Sequence, residues 1–449
     1  MKRVVIIGAG PAGLAAAEHA LRAGAQVTVL DQSDAPGGQY HRKFHADPHG
    51  FGEVLSRCEW WPETTVWAVE GGNAGVAAAR VGDPRAAAQS PALRVHLLRG
   101  PADGSARERL TLEPDALVLA TGAHDRVLPF PGWQLPGVYT AGAAQALAKG
   151  ERVAVGKRVL VAGAGPFLLP VAESLLAVGS EIVAVLEANT AATVLKGWSG
   201  PVHLGKTAEL ARYAATLARH RVPYRFGRVV VEAVGDDQVR EVVTARVRAD
   251  WSVIPGTERT HAVDVVCVGH GFTPQPELAV AAGCRLDDGF VRIDQDQRTT
   301  VANVFAAGEI TGIGGADAAR AEGAIAGCVA AGGTPSRELL RNRDRTRVFA
   351  HRLQAAHPIG AAWPGWLRDD TIVCRCEETT YGRLKEAAAD LGMPGPHALK
   401  LGTRAGLGPC QGRMCGPTVA ELCGGAERHH RPIAQPIRLG ELAAPEGDS

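Results

Sequence analysis

The chain has 449 residues, with Lys+Arg 48 against Asp+Glu 47. This length predicts two or three domains, and the balanced charge argues against nucleic acid or an anionic membrane as a partner. Aromatic residues make up only 5%, which also argues against a surface on which nucleic-acid bases stack. A strand pattern follows Met1 within two residues, so we expect a cytoplasmic enzyme without a secretory or transit peptide and without a transmembrane segment.

The first segment, residues 4–32, fits a strand, a glycine-rich turn, a helix and a second strand. Glycines at these spacings allow a tight turn, the approach of a pyrophosphate and close helix packing, and an acid at the end of the second strand accepts a hydrogen bond from a ribose hydroxyl. The predicted dinucleotide-binding residues are Gly8, Gly10, Gly13 and Asp31.

The same pattern recurs from residue 158, with Gly163 and Gly165 in the places of the first two glycines and Glu187 at the strand end. This repeat predicts a second Rossmann-like domain. Leu168, however, stands where the third glycine belongs. Two alternatives are therefore open: NAD(P) binding with Glu187 on the ribose, or a retained fold whose ligand is lost or altered.

Three further stretches indicate FAD. They are Pro36–Gln39 (PGGQ), Asp115–Ala123 (DALVLATGA) and Thr299–Ile310 (TTVANVFAAGEI). With the glycine fingerprint, they resemble the two-dinucleotide-domain flavoproteins of the glutathione-reductase-like fold. The resemblance implies an α/β fold that binds FAD, with an acid on the ribityl chain; Glu309 stands here where Asp is usual. It adds these cofactor-binding residues: Gly38, Gln39, Thr121, Gly122, Gly308 and Glu309.

Four cysteines near the other end form two close pairs, Cys374-x-Cys376 and Cys410-x4-Cys415. Four thiolates suit zinc or an iron–sulfur cluster, and C-x-C spacing fits zinc poorly. The module resembles the bacterioferritin-associated-ferredoxin-like [2Fe-2S] domain, although C-x2-C is common there for the second pair. We predict a [2Fe-2S] cluster on these four cysteines, with zinc or an empty site as alternatives.

The predicted domain order follows from these motifs. It comprises the first part of the FAD-binding domain (1–125), an NAD(P)-binding-like domain (126–262), the second part of the FAD-binding domain (263–334), an Arg-rich irregular connector (335–370), the [2Fe-2S] domain (371–425) and an extended tail (426–449).

Nearly the whole chain resembles the FAD-containing A or alpha subunits of opine oxidases, hydroxyproline or proline dehydrogenases and hydrogen cyanide synthases. The stretches GGQYHR and GEITGIGGADAARAEG strengthen this resemblance. It implies an electron-transfer subunit whose partner, a D-amino-acid-oxidase-like flavoprotein, oxidises a C–N bond of an amino acid or opine, in some cases with a small ferredoxin-like subunit. Contact with a membrane would come only through that complex.

Two other classes of function stay open. One is a self-contained NAD(P)H-dependent reductase of a ferredoxin-like acceptor, and the other is a non-catalytic assembly subunit with relic sites. No residue is predicted as a catalytic acid, base or nucleophile, and none is required if the C–N bond is oxidised on a partner.

Overall fold

The computed structural model describes residues 1–41, 51–71, 92–104, 107–198, 204–390, 396–424, 433–443 and 445. The chain divides into two compact units. Unit 1 comprises Met1–Ala123, Pro274–His351 and His430–Ser449, and unit 2 comprises His124–Thr273 and Arg352–His429.

The strands are β1 (Arg3–Ile7), β2 (Gln26–Leu30), β3 (Glu59–Trp61), β4 (Thr64–Glu70), β5 (Arg94–Arg99), β6 (Glu108–Leu112), β7 (Ala116–Leu119), β8 (Ala123–Asp125), β9 (Val138–Thr140), β10 (Arg158–Gly163), β11 (Glu181–Glu187), β12 (Tyr224–Phe226), β13 (Arg228–Val234), β14 (Glu241–Arg246), β15 (Arg259–Ala262), β16 (Val265–Gly269), β17 (Phe272–Pro274), β18 (Leu286–Asp287), β19 (Phe290–Val291), β20 (Val304–Ala306), β21 (Ile372–Cys374) and β22 (Thr379–Thr380).

The helices are α1 (Pro11–Arg22), α2 (Phe51–Leu55), α3 (Ala141–Ala146), α4 (Leu168–Ala177), α5 (Ala191–Gly197), α6 (Leu204–Arg219), α7 (Glu277–Ala281), α8 (Gly315–Ala330), α9 (Arg337–Ala356), α10 (Tyr381–Asp390), α11 (Pro396–Thr403), α12 (Gly416–Cys423) and α13 (Leu439–Ala443). A π-helical turn covers Leu147–Glu151, and a 3₁₀ turn covers Trp363–Trp366. None of the described helices is long and apolar enough to span a lipid bilayer.

Unit 1 is built on a parallel sheet with strand order β20-β7-β1-β2-β3. Val4 and Ile6 of β1 belong to the core shared with α1 and α8, whereas Val5 and Ile7 belong to the core on the other face. Successive residues of a strand point to opposite faces, so a strand buried on both faces has an unbroken apolar sequence. The run VVII of β1 is the result.

Helices α1 and α8 of unit 1 pack closely because both carry small residues at their contact. A Cβ added at Gly323 would collide with the Ala12 carbonyl, and one added at Gly327 would collide with the Ala16 carbonyl. This contact holds the start of α1, where the first glycine turn ends, against the helix that follows Glu309.

Unit 2 is built on a second parallel sheet with strand order β12-β11-β10-β16-β9, together with an antiparallel sheet β13-β14-β15. Strand β16 corrects the domain boundary expected after residue 262. Val265–Gly269 pairs with β10, and unit 2 continues to Thr273. The apolar run of β16 fits the interior of either sheet, so its sequence pattern alone does not identify its partner strand.

The Arg-rich connector is not irregular. Its residues from Arg337 to Ala356 form α9, and one of the chain's boundaries between the two units falls within this helix, between His351 and Arg352. Arginine is a good helix former, and this explains why a strongly charged stretch is helical.

The described part of the tail is also more structured than expected. Residues 439–443 form α13, and the Ala434 N–H donates to the Trp67 carbonyl at 2.7 Å. Arg107 and Glu441 form an ion pair at 2.8 Å in which both side chains are 6% exposed. The described residues of the tail therefore pack within unit 1 beside the antiparallel sheet β4-β5-β6.

Candidate functional site

The first glycine turn of unit 1 has the geometry of a phosphate site. Gly8 has φ +106, and a Cβ there would collide with the Ala120 carbonyl; a Cβ at Gly13 would collide with the Gly8 carbonyl. Helix α1 begins directly after Gly10, and its first helical bond runs from the Leu14 N–H to the Gly10 carbonyl at 3.0 Å. The preceding N–H groups at this helix start are suited to bind phosphate oxygens.

Asp31 lies at the end of β2 beside this turn. Its carboxylate accepts from the Ala9 N–H at 2.6 Å and from the Ser33 N–H at 2.8 Å. The side chain is only half-buried, and an ionised carboxylate has about four acceptor positions. Asp31 therefore keeps acceptor positions that its two backbone hydrogen bonds leave unused.

The PGGQ loop lies against the same turn. The Gly37 N–H donates to the Ala9 carbonyl at 2.8 Å, and a Cβ added at Gly38 would come within 2.9 Å of the Gly10 Cα. Gln39, next in the chain, is exposed. The structure thus brings Gly38 and the first glycine turn together, and the absence of side chains at Gly38 and Gly10 leaves the backbone of both uncovered.

Thr121 and Gly122 follow β7, the strand next to β1. The Thr121 hydroxyl donates to the Gln275 carbonyl at 2.6 Å, and the Gln275 N–H donates to the Gly122 carbonyl at 3.0 Å. These two bonds fix the carboxyl end of the strand, the edge at which ligands bind in α/β sheets.

Gly308 and Glu309 follow β20 at the same edge of the sheet. A Cβ on Gly308 would come within 2.9 Å of the Ala12 Cβ, so this turn lies against the start of α1. The Glu309 carboxylate accepts from the Gly314 and Gly315 N–H groups at 3.3 and 2.7 Å, at the start of α8. Burial raises the pKa of Glu309. Both bonds are accepted by the same carboxylate oxygen, Oε1.

Glu322 of α8 is a residue of this site that motif reasoning missed. It is 6% exposed and accepts from the Gly308 N–H at 3.0 Å, the Thr311 hydroxyl at 2.6 Å and the Arg347 Nε at 3.0 Å. It therefore holds the Gly308 turn in place. The available signal was an acidic residue within the buried, Ala-rich stripe of a helix, since buried acids need partners.

The second glycine turn, in unit 2, differs from the first at the position of Leu168. Pro166 corresponds to Pro11, yet α4 begins only at Leu168, which is fully buried. The Leu168 N–H donates to the Gly165 carbonyl at 3.3 Å, a shorter turn than the one that opens α1. Leu168 is the counterpart of Gly13, so the N–H at this position already has a hydrogen-bond acceptor within the chain.

The acid at the end of β11 is also enclosed. Glu187 is 0% exposed, whereas Asp31 is half-buried. The Glu187 carboxylate accepts from the Gly165 and Asn189 N–H groups, both at 2.9 Å, and from the Asn189 amide at 3.0 Å. His357 Nδ1 lies 3.2 Å from Glu187 Oε2.

Residues that follow α9 cover this part of unit 2. Trp366 stacks on Trp251 with ring centroids 5.8 Å apart, and Gly360 packs so closely on Trp251 that a Cβ would collide with its ring. The Trp251 Nε1–H donates to the Asn189 Oδ1 at 3.3 Å. The position from which an acid would bind the ribose of NAD is therefore filled by the chain's own side chains.

The four cysteines of the C-terminal module lie in two contacting pairs. The thiols of Cys374 and Cys415 interact, and so do those of Cys376 and Cys410. The bond from Cys415 is the largest cause that lowers the pKa of Cys374 to about 5, and the backbone N–H groups of Gly406, Glu377 and Cys376 add to it. Such N–H donors stabilise thiolate sulfur, the form that binds iron.

Close backbone approach supports the same site. A Cβ added at Gly408 would collide with the Cys376 Cβ. The arginines nearby have other partners: Arg404 pairs with Glu377 at 2.7 Å, and the Arg375 guanidinium lies 5.2 Å from the centroid of the Trp133 ring. Gly406 and Gly408 thus lie beside the sulfur atoms, whereas Arg404 and Arg375 are engaged with other partners.

The four thiols match the donor set of a two-iron cluster. A [2Fe-2S] cluster places two thiolates on each of its two irons, and Cys374, Cys376, Cys410 and Cys415 supply four. The other five cysteines are free thiols, and burial raises the pKa of each: Cys58, Cys267, Cys284, Cys328 and Cys423.

Comparison with known families agrees with this division of the chain. The profile of the family "Pyridine nucleotide-disulphide oxidoreductase" matches residues 2–323, and that of the "BFD-like [2Fe-2S] binding domain" matches residues 372–423.

The chain is also similar to curated proteins over nearly its whole length. It is 32% identical to the A subunit of opine oxidase from Agrobacterium tumefaciens (strain Ach5), covering 98% of this chain and 91% of the relative. It is 32% identical to the HcnB subunit of hydrogen cyanide synthase from Pseudomonas aeruginosa, covering 92% of this chain and 90% of the relative.

Among solved structures, L-proline dehydrogenase from P. horikoshii has the same fold. The TM-score is 0.65 at 19% sequence identity, covering 99% of this chain and 79% of that chain.

Proposed function

We propose that this chain, which belongs to the pyridine nucleotide-disulphide oxidoreductase family and carries a BFD-like [2Fe-2S] binding domain, relays electrons within a multi-subunit dehydrogenase. It is an FAD-dependent oxidoreductase of the group that includes the opine oxidase A subunits and the HcnB subunits of hydrogen cyanide synthase. Its cofactors are FAD and a [2Fe-2S] cluster. One observation carries the relay proposal. The chain has two redox sites, but Glu187, the acid that would bind the ribose of NAD, is fully buried.

FAD would be held by the residues of unit 1 that meet at the strand ends. The N–H groups at the start of α1 would bind the pyrophosphate, and Asp31 would accept a hydrogen bond from the ribose. Gly38, which has no side chain, would let the flavin ring approach the backbone closely. FAD supplies electron transfer in pairs or singly, and the cluster accepts one electron at a time. Cys374, Cys376, Cys410 and Cys415 would hold the cluster.

The enclosed acid of unit 2 supports a partner flavoprotein, rather than NADH, as the source of electrons. Three N–H groups and the side chain of His357 already surround the Glu187 carboxylate. We therefore propose that a D-amino-acid-oxidase-like flavoprotein oxidises the C–N bond of an amino acid or opine and passes its electrons to this chain. A small ferredoxin-like protein is a further candidate partner.

The competing proposal is a self-contained NAD(P)H-dependent reductase of a ferredoxin-like acceptor. It requires Glu187 to become accessible to a ribose, which means displacing His357 and the residues that follow it. It also requires a phosphate cradle at the second turn, where the Leu168 N–H already donates to the Gly165 carbonyl.

An anaerobic titration of the purified chain tests the proposal. We expect flavin and iron–sulfur absorption bands that NADH and NADPH leave unchanged and that dithionite bleaches. Bleaching by NADH within seconds would make the reductase the better proposal. A preparation that is colourless after reconstitution with FAD, iron and sulfide would contradict both, and would favour a non-catalytic assembly role.

A further inference from the structure

The antiparallel sheet of unit 2 carries a cluster of arginines around one cavity. The cavity has a volume of ≈ 210 Å³. It is lined by Arg228, Arg246, Gly256, Thr257, Glu258 and Arg259. Nothing in the relay of electrons requires this cluster, so its positive charge needs a separate explanation.

The register of the sheet places like charges against each other. Arg228 of β13 lies directly opposite Arg246 of β14, and like charges in directly opposed positions destabilise a sheet. Arg259 lies on the neighbouring strand β15, opposite Thr244. Burial lowers the pKa of Arg228, and the charges of Arg259, Arg225 and Arg246 lower it further.

Burial and the same positive charge lower the pKa of a nearby histidine, His261. Burial lowers the pKa of His261, and Arg228, Arg225 and Arg259 lower it further. These groups therefore share one positive electrostatic environment, and the folded chain keeps it at the expense of mutual repulsion.

The arginines of this cluster differ in their partners from other arginines at the same sheet. Within the described ranges, none of Arg225, Arg228, Arg246 and Arg259 forms an ion pair with a carboxylate, although Glu258 also lines the cavity. Other arginines at the same sheet are paired. Arg240 pairs with Asp236 at 3.3 Å, and Arg368 pairs with Glu232 at 2.7 Å.

The cluster lies where small ligands bind in α/β domains. Phe226 of β12 pairs with Glu187 at the carboxyl end of β11. Arg225 precedes Phe226, and Arg228 lies shortly after it. Ligands of open α/β sheets bind outside the carboxyl ends of the strands. Such a location suits a small ligand.

We propose that this cavity binds the phosphate or pyrophosphate group of a small phosphorylated ligand. Guanidinium groups match phosphate oxygens in charge and in planar, two-pronged geometry. Whole drug-sized ligands usually occupy cavities of about 300–1,000 Å³, so the smaller volume here suits one phosphoryl or pyrophosphoryl group with the remainder of the ligand outside. Bound phosphate would also relieve the repulsion between Arg228 and Arg246.

Calorimetric titration of the full chain, loaded with FAD and iron–sulfur, with inorganic pyrophosphate at low ionic strength tests the site. We expect saturable binding that weakens as salt is added. Arg228→Gln should weaken it about 10-fold, the loss expected for one charge-assisted contact. Arg240→Gln, a matched change at an arginine that is already paired, should leave it unchanged, and Glu258→Gln should strengthen it.

Stability measurements separate loss of binding from loss of fold. Because Arg228→Gln removes a like charge, its melting temperature should equal or exceed that of the wild type. If that variant does not fold, Arg259→Gln gives the same comparison. Absence of saturable binding, or equal weakening by Arg240→Gln, would overturn the proposal. Binding of polyglutamate but not of pyrophosphate would also overturn it, and would indicate an acidic protein partner.

Discussion

At the scale of single residues, His270 is a buried base whose environment makes the stability of unit 2 depend on pH. It is 5% exposed and lies beside the rings of Trp251 and Trp366, with centroids 6.0 and 6.4 Å away. Burial lowers the pKa of His270 to about 4; Arg126 lowers it further, and Glu187 acts in the opposite direction.

The sign of the pH effect follows from this shift. An unfolded chain binds a proton at this histidine near pH ~6.5, whereas the folded chain binds it only near pH 4. The contribution of neutral His270 to the free energy of unfolding is therefore complete above pH ~6.5 and is lost as the pH falls toward 4. At pH ~5 the free energy of unfolding is lower by about 2 kcal/mol. We expect thermal unfolding, followed by tryptophan fluorescence, to show this fall between pH ~7 and ~5. His270→Leu should show a smaller fall, and an equal fall in both proteins would contradict the assignment.

Asp31 and Glu187 show what a sequence reveals about single residues. Both acids are recognisable because each ends the second strand of a βαβ segment. Their exposure is not recognisable, because it depends on His357 and other groups distant in sequence. Motif spacing thus identified both candidate ribose acids, and only the fold distinguished the accessible one.

At the scale of elements, α8 and the strand end before it act together through Glu322. Its carboxylate joins the Gly308 N–H, the Thr311 hydroxyl and Arg347. Glu322→Gln keeps the shape but removes the charge that balances Arg347, so the turn should become less ordered.

We expect Glu322→Gln to lower the affinity for FAD about 10-fold, since charged hydrogen bonds contribute about 1.5–3 kcal/mol. Rebinding of FAD to the apoprotein, followed by flavin fluorescence, measures the dissociation constant without an activity assay. Glu338→Gln, at an exposed position in the first turn of α9, is the control. Unchanged FAD affinity in Glu322→Gln would mean that the turn is positioned without this carboxylate.

The elements near α4 were only partly predictable. Leu168 at the third glycine position signalled that the second turn could have lost or altered its ligand, because a side chain there meets the strand. The irregularity in the pairing of β10 and β11 was not predictable: Val159 pairs with Ile182, but Leu160 pairs with Ala184. An extra residue in an apolar strand leaves no mark in composition, and here it leaves Glu187 opposite Gly163 at the end of the two strands.

At the scale of the whole molecule, the two redox sites belong to different compact units. The predicted flavin residues lie in unit 1, and the four predicted cluster cysteines lie in unit 2. The order of motifs along the chain predicted this succession of cofactors. The assignment of β16 and of the tail required tertiary contacts, since both depend on partners far away in the chain.

This separation predicts that the cluster can be removed without loss of the flavin. Cys376→Ser replaces one of the four thiolates, and oxygen is a poor substitute for sulfur on iron. We expect iron and acid-labile sulfide to fall to a small fraction of the wild-type content, while FAD content remains unchanged because Cys376 lies outside unit 1. Cys423→Ser is the matched control, because Cys423 ends α12 in the same module and is not a predicted ligand. Iron loss in Cys423→Ser with full retention in Cys376→Ser would show that the ligand set is wrong, and loss of FAD in Cys376→Ser would show that the two sites depend on each other.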